Sequence, residues 1–207
     1  MYLPRQFVAP PERLAAFLAL PRLAELVTRS SAGLTASSLP LLYEPREGAP
    51  GSFVGHLARA NAQWSDLADD EALVIIGGPD AYVSPIEYPS RLATGEVVPT
   101  WNYLSVQGHG RLVVHDDPAW TRALVTRLTD LAEAPRSERW AVADAPADYI
   151  DAQLQAIVGF EVLLDRLEGN WKLSQNRRPE DRRGVLDAFA AGDPREREVA
   201  EEMRWNG

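Results

Sequence analysis

The spacing of apolar residues changes along the chain. Behind Pro10-Pro11, Leu14, Phe17 and Leu18 recur at helical intervals, which predicts a helix from residue 11. Pro21 divides this run, and Leu23, Leu26 and Val27 supply the apolar face of a second short helix reaching residue 29. The character then shifts. Segments 33–43, 51–58, 72–77, 81–84, 97–107 and 110–115 are short, rich in Val, Ile, Leu, Thr and Tyr, and bounded by Gly, Pro or Asp, as strands are. Gly48-Ala49-Pro50-Gly51 and Gly77-Gly78-Pro79-Asp80 read as turns, and Gln107-Gly108-His109-Gly110 as a tight hairpin. His115-Asp116-Asp117-Pro118 opens a helix with Trp120, Leu124, Leu128 and Leu131 on one face. Residues 149–154 read as helix, 157–164 as strand, and 179–190 and 194–204 as two Arg/Glu-rich helices. The pattern predicts an α+β fold: a β-barrel core of six or seven short strands with helices at both ends, one domain over residues 1–207.

Composition narrows the class. Of 207 residues, 45% are hydrophobic and 25% charged, the profile of a globular chain. No apolar run approaches the ~18 residues of a membrane span, so the expected location is the cytoplasm. The absence of cysteine excludes disulfides, thiolate zinc sites, iron–sulfur clusters and a Cys nucleophile. Twenty-one basic residues against 30 acidic ones give a net charge of −9, the wrong sign for a protein that binds nucleic acid through its overall field. Lys172 is the sole lysine among those 21. Two readings stand: one Lys is what chance leaves in an Arg-rich chain, or position 172 requires a compact ammonium that a planar guanidinium cannot replace.

Four stretches crowd polar and aromatic residues where a strand should be apolar: 55–64, 78–85, 98–103 and 168–177. Each alone reads as a capped turn or a buried Trp with a polar neighbour. Together they suit a flat, heteroaromatic, hydrogen-bonding ligand with a polar tail. The order Tyr2-x-Pro4-x-x-Phe7, His56 to Asn61 to Trp64, Ala81-Tyr82-Val83-Ser84-Pro85, Val98-Pro99-Thr100-Trp101-Asn102-Tyr103 and Trp171-Lys172-Leu173-Ser174-Gln175-Asn176 closely resembles the PaiB-type FMN-binding transcriptional regulators, from residue 1 to about 185. The resemblance implies an FMN-binding split β-barrel, paired as a homodimer with flavin in the cleft. The cofactor-binding residues it implies are His56, Tyr82, Val83, Ser84, Thr100, Trp101, Asn102, Lys172, Gln175 and Asn176. Gln63, Glu87, Gln107 and Asn170 depart from the family pattern, three by losing a His or Lys and one by adding an acid, which makes the expected pocket less basic.

Other chemistry is sparse. His56, His109 and His115 show no metal-ligand spacing, and no nucleophile elbow, phosphate loop or dinucleotide fingerprint appears. The basic cluster 177–183 reads first as a solvated helix face, then as a flavin-phosphate or subunit contact, and last as a DNA contact. Three readings compete: a dimeric flavin-binding protein, either a regulator or an oxidoreductase related to pyridoxamine-phosphate oxidases; a repressor that binds DNA directly; and a haem-binding relative for which only His56 speaks. Direct DNA binding is disfavoured by the charge and by the lack of a reading module.

Overall fold

The computed structural model describes residues 1–205. Its elements are α1 (Pro11–Leu18), β1 (Arg22–Ser30), β2 (Gly33–Arg46), β3 (Ala49–Ala58), β4 (Glu71–Val83), α2 (Arg91–Thr94), β5 (Thr100–His115), α3 (Pro118–Glu133), α4 (Ala147–Gln155), β6 (Ile157–Lys172), α5 (Pro179–Ala191) and α6 (Pro194–Trp205). The six strands form an antiparallel sheet that closes on itself in the order β1-β2-β3-β6-β5-β4, so the α+β barrel expected from the pattern is what forms. Closure leaves no free sheet edge around the ring.

The second helix expected before residue 29 is instead β1. Ala24, Leu26 and Thr28 are buried at every second position, and Ser30 pairs with Gly33 across a two-residue turn. Good local helix formers are overridden here by long-range pairing on both edges, to β2 and β4. Two expected turns are also absent. β4 runs straight through Gly77-Gly78-Pro79-Asp80, because Pro79 lies beyond the stretch paired with β1 (residues 72–75), where a missing N–H costs no ladder bond there. β5 runs straight through residues 107–110, whose glycines serve close approach. A Cβ on Gly108 would sit 2.7 Å from Phe53, and one on Gly110 would sit 2.0 Å from the Leu163 carbonyl oxygen. The Gly48 turn holds, with φ at +72°, between β2 and β3. α3 to α6 appear where the periodicity places them.

The chain divides into two compact units. One comprises residues 11–76 and 107–167. Its interior includes Leu26, Val74, Phe160 and Val162, all at or below 1% exposure, each contributing about 1.5–3 kcal/mol by burial. α3 packs on it through Leu124 and Leu128 against Leu42 and Val54. The other comprises residues 1–10, 77–106 and 168 onward, and carries the last residues of β4, the first of β5, the end of β6, and helices α5 and α6. α5 is fixed to the segment after β4: the buried Asp181 carboxylate accepts from the Ser90 backbone N–H at 3.0 Å and from its hydroxyl at 2.8 Å.

Candidate functional site

Within this second unit, side chains alternate across the strands and create two unlike faces. On the buried face Trp171 donates its indole N–H to Glu202 of α6 at 3.3 Å. Asn102 accepts from the Ser174 hydroxyl at 3.0 Å and turns its amide nitrogen toward the Met203 sulfur at 3.5 Å. On the other face Tyr82 of β4 and Trp101 of β5 meet edge to face, with centroids 5.8 Å apart, and remain 47% and 50% exposed. Lys172 of β6 joins them. Its ammonium donates to the Thr100 hydroxyl at 2.6 Å and to the Trp101 carbonyl at 2.5 Å, and lies 5.7 Å from the centre of the Tyr103 ring.

The turn after β6 holds this arrangement in place. Ser174 is buried at φ +64°, a left-handed conformation uncommon for a residue with a Cβ, and its hydroxyl bond to Asn102 fixes it there. The Gln175 side chain closes the turn by accepting from the Leu173 N–H at 2.6 Å and donating to the Trp171 carbonyl at 2.5 Å. Arg177 follows, its guanidinium 4.9 Å above the ring of the fully buried Tyr88. Val83 is wholly buried, the Ser84 hydroxyl accepts from the Ile86 N–H, and Asn176 is exposed at the turn.

Of the residues expected to hold a cofactor, the structure therefore gathers Tyr82, Thr100, Trp101 and Lys172 on one open face. Asn102 and Gln175 are engaged in internal hydrogen bonds that shape that face from behind. Tyr103 and Asn170 also belong to the face: the Asn170 amide donates to the Tyr103 hydroxyl at 3.4 Å, and its carbonyl oxygen is buried with no protein partner. The alternation Trp101, Tyr103 and the i, i+2 pair Asn170, Lys172 are the sequence signals that place them there. His56 lies in the other unit, half-buried in an apolar groove of about 410 Å³ with Pro21, Pro40, Leu128 and Trp140. Burial holds its imidazole below the usual pKa, which favours the neutral ring. The rest of that stretch is structural. Asn61 accepts from the Gln63 N–H and donates to Ser37, while the buried Gln63 amide donates to the Leu26 carbonyl and the Thr28 hydroxyl. His115 stacks on Trp120 at 4.2 Å. Among the described residues no group of three or more His, Asp or Glu gathers as a metal site would require.

Electrostatics single out Lys172. Desolvation, followed by the positive charge of Arg177, holds its pKa below that of a free lysine. An ammonium carries three donors, and two are engaged by Thr100 and Trp101, which leaves one for an acceptor outside the chain.

The sequence profile of the family described as "Putative FMN-binding domain" matches residues 1–166. The chain belongs to this family. It is 34% identical to an uncharacterized protein of Aspergillus fumigatus over 68% of its own length, an alignment that spans just under two thirds (66%) of that relative. It is 28% identical to the protease synthase and sporulation protein PAI 2 of Bacillus subtilis over 98% of this chain and 96% of that one, so the Trp171–Asn176 segment lies inside a match although the family profile stops before it. Its fold resembles that of a FAD- and haem-binding protein from Mycobacterium smegmatis, with a TM-score of 0.56 at 19% identity over 81% of this chain and 74% of the other. FMN is the cofactor that family membership supports. The open face fits it: an aromatic platform, an ammonium with a free donor and an orphaned amide oxygen match a flat ring edged with hydrogen-bonding groups.

Proposed function

We propose that the protein is an FMN-binding split-barrel protein that acts as a homodimer, with the flavin held against the face formed by Tyr82, Thr100, Trp101, Tyr103 and Lys172. The observation that carries this reading is the Lys172 ammonium fixed between Thr100 and the Trp101 carbonyl beside a half-exposed aromatic pair. Large apolar side chains left exposed in the same unit, Ile86 at 68%, Val98 at 62% and Leu92 at 82%, support a second copy as the cover.

In this reading Trp101 and Tyr82 orient the ring, Lys172 places a positive charge beside it, and the buried Asn102–Ser174 pair keeps both in register. Bound FMN supplies electron transfer, and the chain supplies orientation and charge. Any effect on transcription is indirect or needs a partner, since an acidic chain with one short Arg cluster opposes phosphate neutralisation. An oxidoreductase reading shares the same site. A haem reading is favoured by one observation, the neutral His56 ring in its apolar groove.

The test is the visible spectrum of protein passed over a desalting column after incubation with FMN and, separately, with haemin. A retained flavin band is the expected result. No retained flavin overturns the reading, and a Soret band dependent on His56 moves it to the haem alternative.

A further inference from the structure

Within the basic run at residues 177–183, Arg178 and Arg183 are exposed, while Arg177 and Arg182 are partly buried. Arg177, Arg182 and Arg183 line one groove of about 630 Å³ with Gln175, Pro179, Leu186 and Asp187. Three guanidiniums face one carboxylate there, in a chain whose net charge is −9. Asp187 neutralises little of this. Its contact with Arg183 is 3.9 Å between side chains 72% and 83% exposed, a pair of small worth in water. Arg182 is held by one nitrogen on the Met203 carbonyl, while its buried Nε has no partner. Arg177 is braced over the Tyr88 ring, and its charge is felt at Lys172. Gln175, which closes the turn after β6, forms part of the groove wall, so groove and aromatic face share one hydrogen-bonded turn.

Several guanidinium forks around one space, with a fixed backbone between them, match the oxygens of a phosphate dianion better than a single carboxylate, which one fork satisfies. We propose that this groove binds a phosphate monoester, and that the terminal phosphate of the flavin nucleotide is its occupant. This inference rests on the flavin reading above and adds to it where the charged tail lies. It also gives Arg, and not the lost His and Lys positions, the task of meeting the phosphate.

The experiment compares FMN with riboflavin, which lacks the phosphate, by fluorescence titration of the wild type, Arg183→Gln and Arg177→Gln. A phosphorus NMR titration with inorganic phosphate runs beside it. The wild type is expected to bind FMN at least tenfold more tightly than riboflavin. Each substitution is expected to shrink that preference several-fold while leaving riboflavin affinity unchanged, which also reports that the variant is folded. Arg183 is exposed and outside the packed core, so its variant decides the matter should Arg177→Gln fail to fold. Equal affinity of the wild type for both flavins, or an undiminished FMN preference in Arg183→Gln, overturns the proposal. If neither flavin binds, the flavin reading fails separately. In that case phosphate binding lost in Arg183→Gln keeps the groove as a site for another phosphorylated ligand, and no phosphate binding overturns it too.

Discussion

Lys172 shows how far a single residue could be read before its surroundings were known. Its solitude among 20 arginines marked it, and in the structure its ammonium donates to the Thr100 hydroxyl and the Trp101 carbonyl, with the Tyr103 ring alongside. A guanidinium is wider and planar, so Lys172→Arg is expected to fold normally yet bind FMN about tenfold or more weakly, measured by fluorescence titration. Asn102 and Gln175 were less legible, because an amide in a motif carries no mark of whether it faces a ligand or its own backbone. That choice is made by the Ser174 turn, which depends on contacts 72 residues apart. His56 supports a pH prediction. Its folded pKa lies below the unfolded value of 6.5, so the unfolded chain takes up the proton first. Stability is therefore complete above pH 6.5 and is lost as pH falls through the window below it. Thermal melting from pH 7.5 to 5 should show this loss in the wild type and a smaller one in His56→Gln. Identical slopes would remove His56 from the account.

At the scale of elements, α1 and α3 to α6 were legible, whereas β1 read as a helix, α2 was not read, and the long strands were broken. α3 to α6 have apolar faces whose period needs no tertiary partner to be recognised. β4 and β5 were each divided in two, because Gly and Pro inside a strand look like turns when the pairing strand is unseen. The difference between the two glycine clusters is testable. A Cβ at Gly77 meets nothing within 4 Å, whereas one at Gly110 collides with the backbone of β6. Gly77→Ala should raise stability by a few tenths to about 1 kcal/mol through the unfolded chain. Gly110→Ala should lower it by about 1–3 kcal/mol or more. Urea melts of the two variants decide it, and equal effects would argue against an unbroken β5.

For the whole molecule, charge and exposed apolar surface make opposite statements about partners. A net charge of −9 opposes nucleic acid, so the free protein should give no sequence-selective gel shift at nanomolar concentration in ~0.2 M salt. Exposed Trp101, Ile86, Leu92 and Val98 favour association with another copy, so light scattering at micromolar concentration should report a dimer, and a monodisperse monomer would contradict the cover proposed for the flavin. The claim on which the functional account turns is that FMN sits against Lys172 and its aromatic neighbours. Titration of FMN fluorescence with wild-type protein and Lys172→Ala tests it directly. The account predicts saturable quenching at one FMN per chain, and an affinity about ten- to a hundredfold weaker in a variant that melts normally. Equal affinity in the two proteins, or no quenching by either, would contradict it.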